Sequence, residues 1–224
     1  MKDIIASIVM FNEDVEIVNR AVHSFLSTQL NVEILLVDNS STDDLRDEWN
    51  DKRVTYFYSK KNLGFAAGHN IAIKESLSRG SKYHLVLNPD IYFNQGVLEV
   101  LFDFMESHTD VGCILPKVIS PDGSIQYLYR LLPTPLDLLI RRFLPLPISR
   151  LFKRRLERYE LRSLDLEKIN EIPYLSGCFM FLRTDALKEV GLFDERFFLY
   201  LDDVDFSRRT MEIRNNPVLV RKST

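Results

Sequence analysis

Cysteine is scarce in this chain: Cys113 and Cys178 are the two present, each inside an apolar stretch, VGCIL and SGCFMF. That excludes a disulfide framework and leaves both as expected small buried hydrophobes. Zinc-type spacing is missing as well, because His23, His69, His84 and His108 form neither HExxH nor a Cys/His pairing. Of the four, His69 alone keeps functional interest. Eight glycines and nine prolines among 224 residues are too few for a low-complexity chain. The net charge is only −3, with a pI near 5.9, so there is no overall pull toward nucleic acid, and no nucleic-acid partner is expected. No window approaches the roughly 18 consecutive apolar residues of a membrane span. Met1-Lys2-Asp3 and the short apolar run after it lack the length and cleavage pattern of a signal peptide, so a cytoplasmic location is expected.

What is present points to one globular α/β domain over 1–224. Ile4 to Phe11 is nearly all apolar, as in a central strand covered on both faces. Val15, Val18, Ala21, Val22, Phe25 and Leu26 then recur at helical spacing, with Asn12 or Asp14 available as N-cap. Val32 to Val37 is a second buried strand that delivers Asp38 at its carboxyl end. Val54 to Tyr58 gives a third strand, Ala66 to Leu77 a second helix, and Tyr83 to Leu87 a fourth strand ending at Asn88-Pro89-Asp90. Val97 to Met105 reads as another helix, and Val111 to Ile119 as an apolar run before a Pro-Asp-Gly turn at 121–123. The order β-α-β-β-α-β-α-β predicts a layered, mostly parallel sheet. Asp38 and Asp90 would then sit past the carboxyl ends of different strands, where open α/β sheets hold ligands.

Two later segments differ in character. Within 141–162 eight Lys/Arg face two Glu, an excess of +6 that leaves −9 for the remainder. Leu138, Leu139, Phe143, Leu144, Leu146, Ile148, Leu151 and Phe152 are interleaved with these bases. The stretch 136–162 therefore reads either as an insertion with a solvated basic face or as a peripheral contact with an anionic membrane surface. Beyond it, Ile172 to Leu182 suggests a strand pair with Gly177 between, and Thr184 is expected to cap a short helix ending at Gly191. Residues 193–205 combine four aromatic rings with five carboxylates, followed by Arg208 and Arg209. A purely structural core would not choose that composition.

The loop after the first strand, Asn12-Glu13-Asp14, contains no glycine, which excludes a dinucleotide fold of the Gly-x-Gly-x-x-Gly kind; a P-loop is also absent. A nucleotide can still be held if its phosphates are neutralised by Mg²⁺ or Mn²⁺ on a carboxylate, and Asp90 is the candidate. If 202–209 is helical, Asp202 and Asp205 point within about 60° of each other while Asp203 lies about 100° from Asp202. Asp205 has partners in Arg208 and Arg209, and Asp202 has a capping role open to it at a helix start. Asp203, crowded by two acids and by Phe197, Phe198 and Tyr200, is expected to have a raised pKa suited to a general base.

The ordered motifs VDNSSTD (37–43), NLGFAAGHN (62–70), LNPD (87–90) and GLFDERFFLYLDDVDFSRR (191–209) resemble family 2 of the inverting nucleotide-sugar glycosyltransferases, of GT-A fold, and most closely its rhamnosyltransferase-like branch. The resemblance implies a nucleotide-sugar-binding half (1–120) and an acceptor half (121–224). It implies that Asp38 binds the base or ribose of the donor, with Phe11 and Asn12 lining the same pocket. Asn62, Gly64 and Phe65 to Asn70 would form the donor loop, where small Gly64, Ala66, Ala67 and Gly68 allow close backbone approach. Asn88 stands where many members have the first Asp of a metal motif, and Asp90 becomes the metal ligand. Asp203 falls at the catalytic base, and Asp202 replaces the usual Glu beside it. The implied reaction moves a sugar from dTDP-rhamnose, or a UDP- or dTDP-hexose, to a glycan or lipid-linked acceptor with inversion, as in surface polysaccharide synthesis. The contrasting expectation is an impaired member that binds donor or a partner without turnover. It follows from the tail, since similar members run on for several tens of residues past the position of Arg208 and this chain is expected to be shortened there.

Overall fold

The computed structural model of the protein describes residues 2–143, 152–166, 168–214 and 218–221. An eight-stranded sheet forms the centre, in the order β3-β2-β1-β4-β11-β5-β12-β9. Its first half is β1 (Ile4–Met10), β2 (Val32–Asp38), β3 (Val54–Tyr58) and β4 (Tyr83–Leu87), all mutually parallel. Helix α1 (Val15–Leu26) joins β1 to β2, and α2 (Gly64–Arg79) carries the chain from β3 back across to β4. The order of connection thus reverses between β1 and β4, which opens a crevice at their carboxyl ends. α3 (Val97–Ser107) leads into β5 (Cys113–Pro116), and the apolar run expected over 111–119 breaks at Lys117 into β5 and β6 (Val118–Ile119). β6 pairs with β7 (Ile125–Gln126) around the Pro-Asp-Gly turn.

The second half folds back onto the first. β8 (Tyr129–Arg130) pairs with β10 (Tyr174–Leu175), β9 (Asn170–Ile172) lies at the sheet edge, and β11 (Phe179–Arg183) runs antiparallel to both β4 and β5. Between β8 and β9 stand α4 (Pro135–Phe143) and α5 (Lys153–Tyr159). Thr134 and Asp137 close the start of α4 reciprocally: the Asp137 carboxylate accepts from the Thr134 N–H at 3.0 Å, and Thr134 Oγ1 accepts from the Asp137 N–H at 3.3 Å. This is a capping box with Pro135 at the first helical position. Arg155 of α5 reaches the buried Asp137 at 2.7 Å and ties the two helices together. Leu144, Leu146, Ile148 and Leu151 of the basic stretch lie outside the described residues. No helix among the described residues is long and apolar enough to cross a membrane.

α6 (Thr184–Val190) and α7 (Asp202–Arg214) complete the helices, and the tail supplies β12 (Val218–Arg221), which pairs with β5 and β9. One expectation at α6 is corrected. Thr184 is its first residue rather than its cap, and its hydroxyl donates to the carbonyls of Ser81 and Lys82 because the helix start abuts the β4 loop.

Alternation along β1 sorts the core. Ile4, Ala6, Ile8 and Met10 enter the main apolar cluster with Val18 and Phe25 of α1, whereas Val9 packs on the α2 side with Leu35, Val37 and Ala72. Gly68 lets α2 approach there, since a Cβ on it would lie 2.7 Å from a Val9 methyl. Ser7 on the same side carries a buried polar chain: its Oγ is 2.7 Å from His69 Nδ1 and 2.9 Å from His84 Nε2, and His84 Nδ1 is 2.6 Å from Ser76 Oγ. His69 is thus a core residue, hydrogen-bonded within the protein.

Burial holds both imidazoles below their ordinary value, His69 well below it and His84 down to about 3. Unfolded histidines protonate near 6.5, so the stability these rings contribute is complete above that pH and falls as the pH drops toward the folded values, by about 1.4 kcal/mol per pH unit for each ring. Urea midpoints should decline steeply from pH 6.5 to 4.5, and His84→Gln should flatten the decline. Equal slopes for the two proteins would contradict the assignment.

Candidate active site

The carboxyl ends of β1, β2 and β4 meet at one edge of the sheet. Phe11, half exposed, and Asn12, in the left-handed region at φ 54°, follow β1; the Asn12 N–H donates to Ser40 Oγ at 2.8 Å. Asp38 is buried, its carboxylate accepting from the Ser40 N–H at 2.8 Å and from the Tyr56 hydroxyl at 2.5 Å. It therefore shapes the loop over 39–41, and burial together with this carboxylate pushes the Tyr56 phenol up. Asn39 donates to the Gly64 carbonyl at 3.1 Å, joining the end of β2 to the start of α2. Asn62 caps the same point by accepting from the Gly64 N–H at 2.9 Å.

Two small residues of segment 62–70, Gly64 and Gly68, admit close contacts from the rest of the chain. Gly64 has φ +79°, and a Cβ there would sit 2.2 Å from the Phe198 carbonyl oxygen, which also accepts from the Phe65 N–H at 3.1 Å. Asn70 brackets Phe193 through both backbone groups, at 2.9 and 3.0 Å. At Gly64 this close contact is made by Phe198 and at Gly68 by Val9.

Asn88 continues the β4–β11 pairing, its N–H donating to the Cys178 carbonyl at 2.9 Å, and faces the cleft. Asp90 lies exposed just beyond it. Burial and the Asp90 charge raise the Glu13 carboxyl, which brings a second acid, unassigned from sequence, to the edge between β1 and β4. The Cys178 thiol is pushed up to about 11, by burial first and then by the fields of both Asp90 and Asp203. Both charges are thus felt at Cys178, just before β11.

Across from Asn88, α7 begins with the acids. Asp203 Oδ2 accepts from the Tyr174 hydroxyl at 2.8 Å and from the Gly177 N–H at 3.0 Å, while Oδ1 accepts from the Val204 N–H at 2.9 Å. Gly177 must be small, because a Cβ would come within 2.8 Å of the Phe65 ring. Asp205 pairs with Arg208 at 3.1 Å and Arg209 at 2.8 Å, as its spacing predicts, and Arg209 continues to the Val190 and Leu192 carbonyls. A raised carboxyl is found at Asp202. Asp202 is 3% exposed, and one oxygen accepts from the Asp203 N–H while the other is buried with no partner among the described residues. Burial first, then the Asp203 charge, pushes it up to about 6. Tyr200 and Leu201 immediately before it both take positive φ, 69° and 67°, conformations that side-chain-bearing residues rarely hold without structural or functional reason.

Asn88, Gly177, Asp202 and Asp203 line a cleft of about 940 Å³, shared with Tyr174 and Arg130. Among the described residues no three metal-capable side chains gather. Mg²⁺ and Mn²⁺ commonly take only one or two protein carboxylates, leaving waters and phosphates to complete the shell. Exposed Asp90 beside Glu13 fits that requirement.

The sequence profile described as "Glycosyl transferase family 2" matches residues 6–191. The chain belongs to this family. Among similar proteins, an N-acetylglucosaminyl-diphospho-decaprenol L-rhamnosyltransferase of Mycobacterium tuberculosis is 28% identical over 195 residues, 82% of this chain and 62% of the relative. The low-salt glycan biosynthesis hexosyltransferase Agl10 of Haloferax volcanii is 27% identical over 79% of this chain and 52% of its own. The chain thus spans about three-fifths of the length of the first relative and about half of the second. Of solved structures, S. aureus TarS 1-349 superposes with a TM-score of 0.67 at 17% identity, covering all of this chain and 59% of that one. GalNAc-T7, crystallised with UDP, GalNAc and Mn²⁺, gives 0.69 at 17% identity, covering 98% and 42%. The family 2 chain has the GT-A fold expected from its motifs.

The Asp202 environment makes a measurable claim. A carboxyl whose folded pKa is raised contributes nothing unfavourable below its unfolded value near 3.9; stability is then lost as the pH climbs through about 6. Asp202→Asn should stabilise the protein by about 1–3 kcal/mol at pH 7.5 and by nothing at pH 4. Urea denaturation at the two pH values checks it, and an equal effect at both would refute it.

Proposed function

We propose that this chain transfers a sugar from a nucleotide-sugar donor to a hydroxyl of a glycan or lipid-linked acceptor, with inversion, in the synthesis of a surface glycan. The carrying observation is that Asn88, just past the end of β4, and Asp203, at the start of α7, line one cleft at the sheet's carboxyl edge, with Asp90 two residues beyond Asn88. The donor side is the wall formed by Phe11, Asn12, Asp38, Asn62, Gly64 and Asn88. The rhamnosyltransferase relative supports rhamnose as the transferred sugar, and the proposed donor is dTDP-rhamnose, with UDP- and dTDP-hexoses as alternatives.

Asp203 acts as general base. Its carboxylate is fixed by Tyr174 and Gly177, so its basic oxygens stay aimed while the acceptor hydroxyl loses its proton and attacks the anomeric carbon from the face opposite the leaving nucleoside diphosphate. Asp202 precedes it at the start of α7, buried and itself pushed up to about 6. Asp90, with Glu13 beside it, would hold the divalent ion, Mg²⁺ or Mn²⁺, which when bound offsets the charge of the diphosphate. A panel of dTDP-, UDP- and GDP-sugars with Mn²⁺ and candidate acceptors, read by nucleoside diphosphate release and by product anomer, identifies the donor. Asp203→Asn should lower turnover by about 10²–10⁴ with donor affinity nearly unchanged. Asp90→Ala should weaken donor binding and metal response together in calorimetry. Full turnover in Asp203→Asn would remove the base, and donor binding without turnover in the unaltered protein would favour a donor-binding role.

The basic α5 adds a peripheral membrane reading, since Lys153, Arg154 and Arg158 are exposed along it. Co-sedimentation should increase with the anionic fraction of vesicles and fall for Arg154→Glu. Binding indifferent to both would exclude this contact.

A further inference from the structure

Among the arginines of the second half, Arg155, Arg162, Arg183, Arg208 and Arg209 all donate to a carboxylate or a carbonyl. Arg130 does not. Its Nε is buried without a hydrogen-bond partner among the described residues, and its guanidinium makes no ion pair there. β8 and β10 pair so that Arg130 stands directly opposite Tyr174, the residue that hydrogen-bonds Asp203. Opposed residues of an antiparallel pair project to the same face, so the guanidinium lies beside the Tyr174 ring on the cleft wall, and both residues line the cleft. A partly buried guanidinium donor left unpaired costs stability unless a ligand supplies the acceptor. The planar fork of arginine matches phosphate oxygens two at a time.

The walls beyond Arg130 are apolar. Pro133, Pro135, Leu139, Leu199 and Leu201 line the cleft, and Leu139, Leu199 and Tyr200 are 49%, 55% and 70% exposed at its rim. Exposed leucines beside one unpaired cation suit an amphiphile with an anionic head and a hydrocarbon tail, and a neutral glycan would use neither feature.

We infer that Arg130 is the acceptor-recognition residue, binding the phosphate of a polyprenyl diphosphate-linked sugar whose tail lies over Leu139, Leu199 and Leu201. The inference rests on the proposed function, because it places the acceptor sugar between Arg130 and the base Asp203. Arg130 acts as a positioning residue, and no bond is made or broken at it.

Binding without donor separates this claim from the catalytic one. Titrations of the full chain in EDTA with farnesyl diphosphate, farnesol and inorganic diphosphate should give the tightest binding for farnesyl diphosphate. Arg130→Gln should weaken it at least tenfold and Arg130→Lys by less, since lysine keeps the charge and loses the fork. Leu139→Ser should weaken farnesyl diphosphate and leave inorganic diphosphate unchanged. Thermal unfolding of each variant confirms that it is folded, and Arg130→Lys preserves the test if Arg130→Gln is not. Absent binding of farnesyl diphosphate, affinity unchanged in Arg130→Gln, affinity equal to that of inorganic diphosphate, or displacement by dTDP would each overturn the inference. A parallel titration with dTDP and Mn²⁺ reports on the donor site alone, and its failure would strike the proposed function instead.

Discussion

The antiparallel pairing of β11 on β4 is the seam on which the candidate site depends. β4 arrives from a crossover that reverses the order of connection in the sheet, so its carboxyl end opens onto a crevice. β11 runs the other way and therefore starts where β4 stops. Asn88 meets Cys178 at that point, and the turn before Cys178 offers the Gly177 N–H to Asp203. A slip of one residue in this register would turn every side chain of β11 to the wrong face and withdraw Gly177 from the acid.

Around that seam the protein breaks several local rules at once. Among the described residues Asp202 is buried with an unpartnered oxygen and Arg130 carries a buried unpartnered nitrogen, and two consecutive side-chain-bearing residues before Asp202 adopt left-handed backbone. The Ser7–His69–His84–Ser76 chain, by contrast, is hydrogen-bonded along its whole length. Concentration of unfavourable features on one cleft is the usual mark of a site kept for binding or chemistry at some expense of stability.

Much of this was legible in the sequence because central parallel strands are buried on both faces and appear as unbroken apolar runs. That is why β1, β2 and β4, and with them the strand-end acids Asp38 and Asp90, were placed correctly along the chain. The Asp205 pairing followed from helix geometry alone. What escaped was set by contacts between distant segments. Nothing local announces that Gly64 admits the carbonyl of Phe198. Asp202 and Asp203 are adjacent acids, and which of them is buried depends on where Tyr174 and Gly177 arrive. Glu13 and Arg130 look like ordinary surface charges until β4 and β10 bring their surroundings together. The capping box of α4 was present as Thr134-Pro135-Leu136-Asp137 and could have fixed that helix start in advance.

The contact of Gly64 with Phe198 has a mechanical side. The first turn of α2 and the looping segment leading to Asp202 share a carbonyl and are bracketed again by Asn70 around Phe193. Neither segment can shift without dragging the other, so whatever settles against the start of α2 is felt at the acids of α7. Substitutions that move one segment should be tolerated only when the other changes with it, which ties the inheritance of two stretches far apart in the chain to a single point of backbone contact.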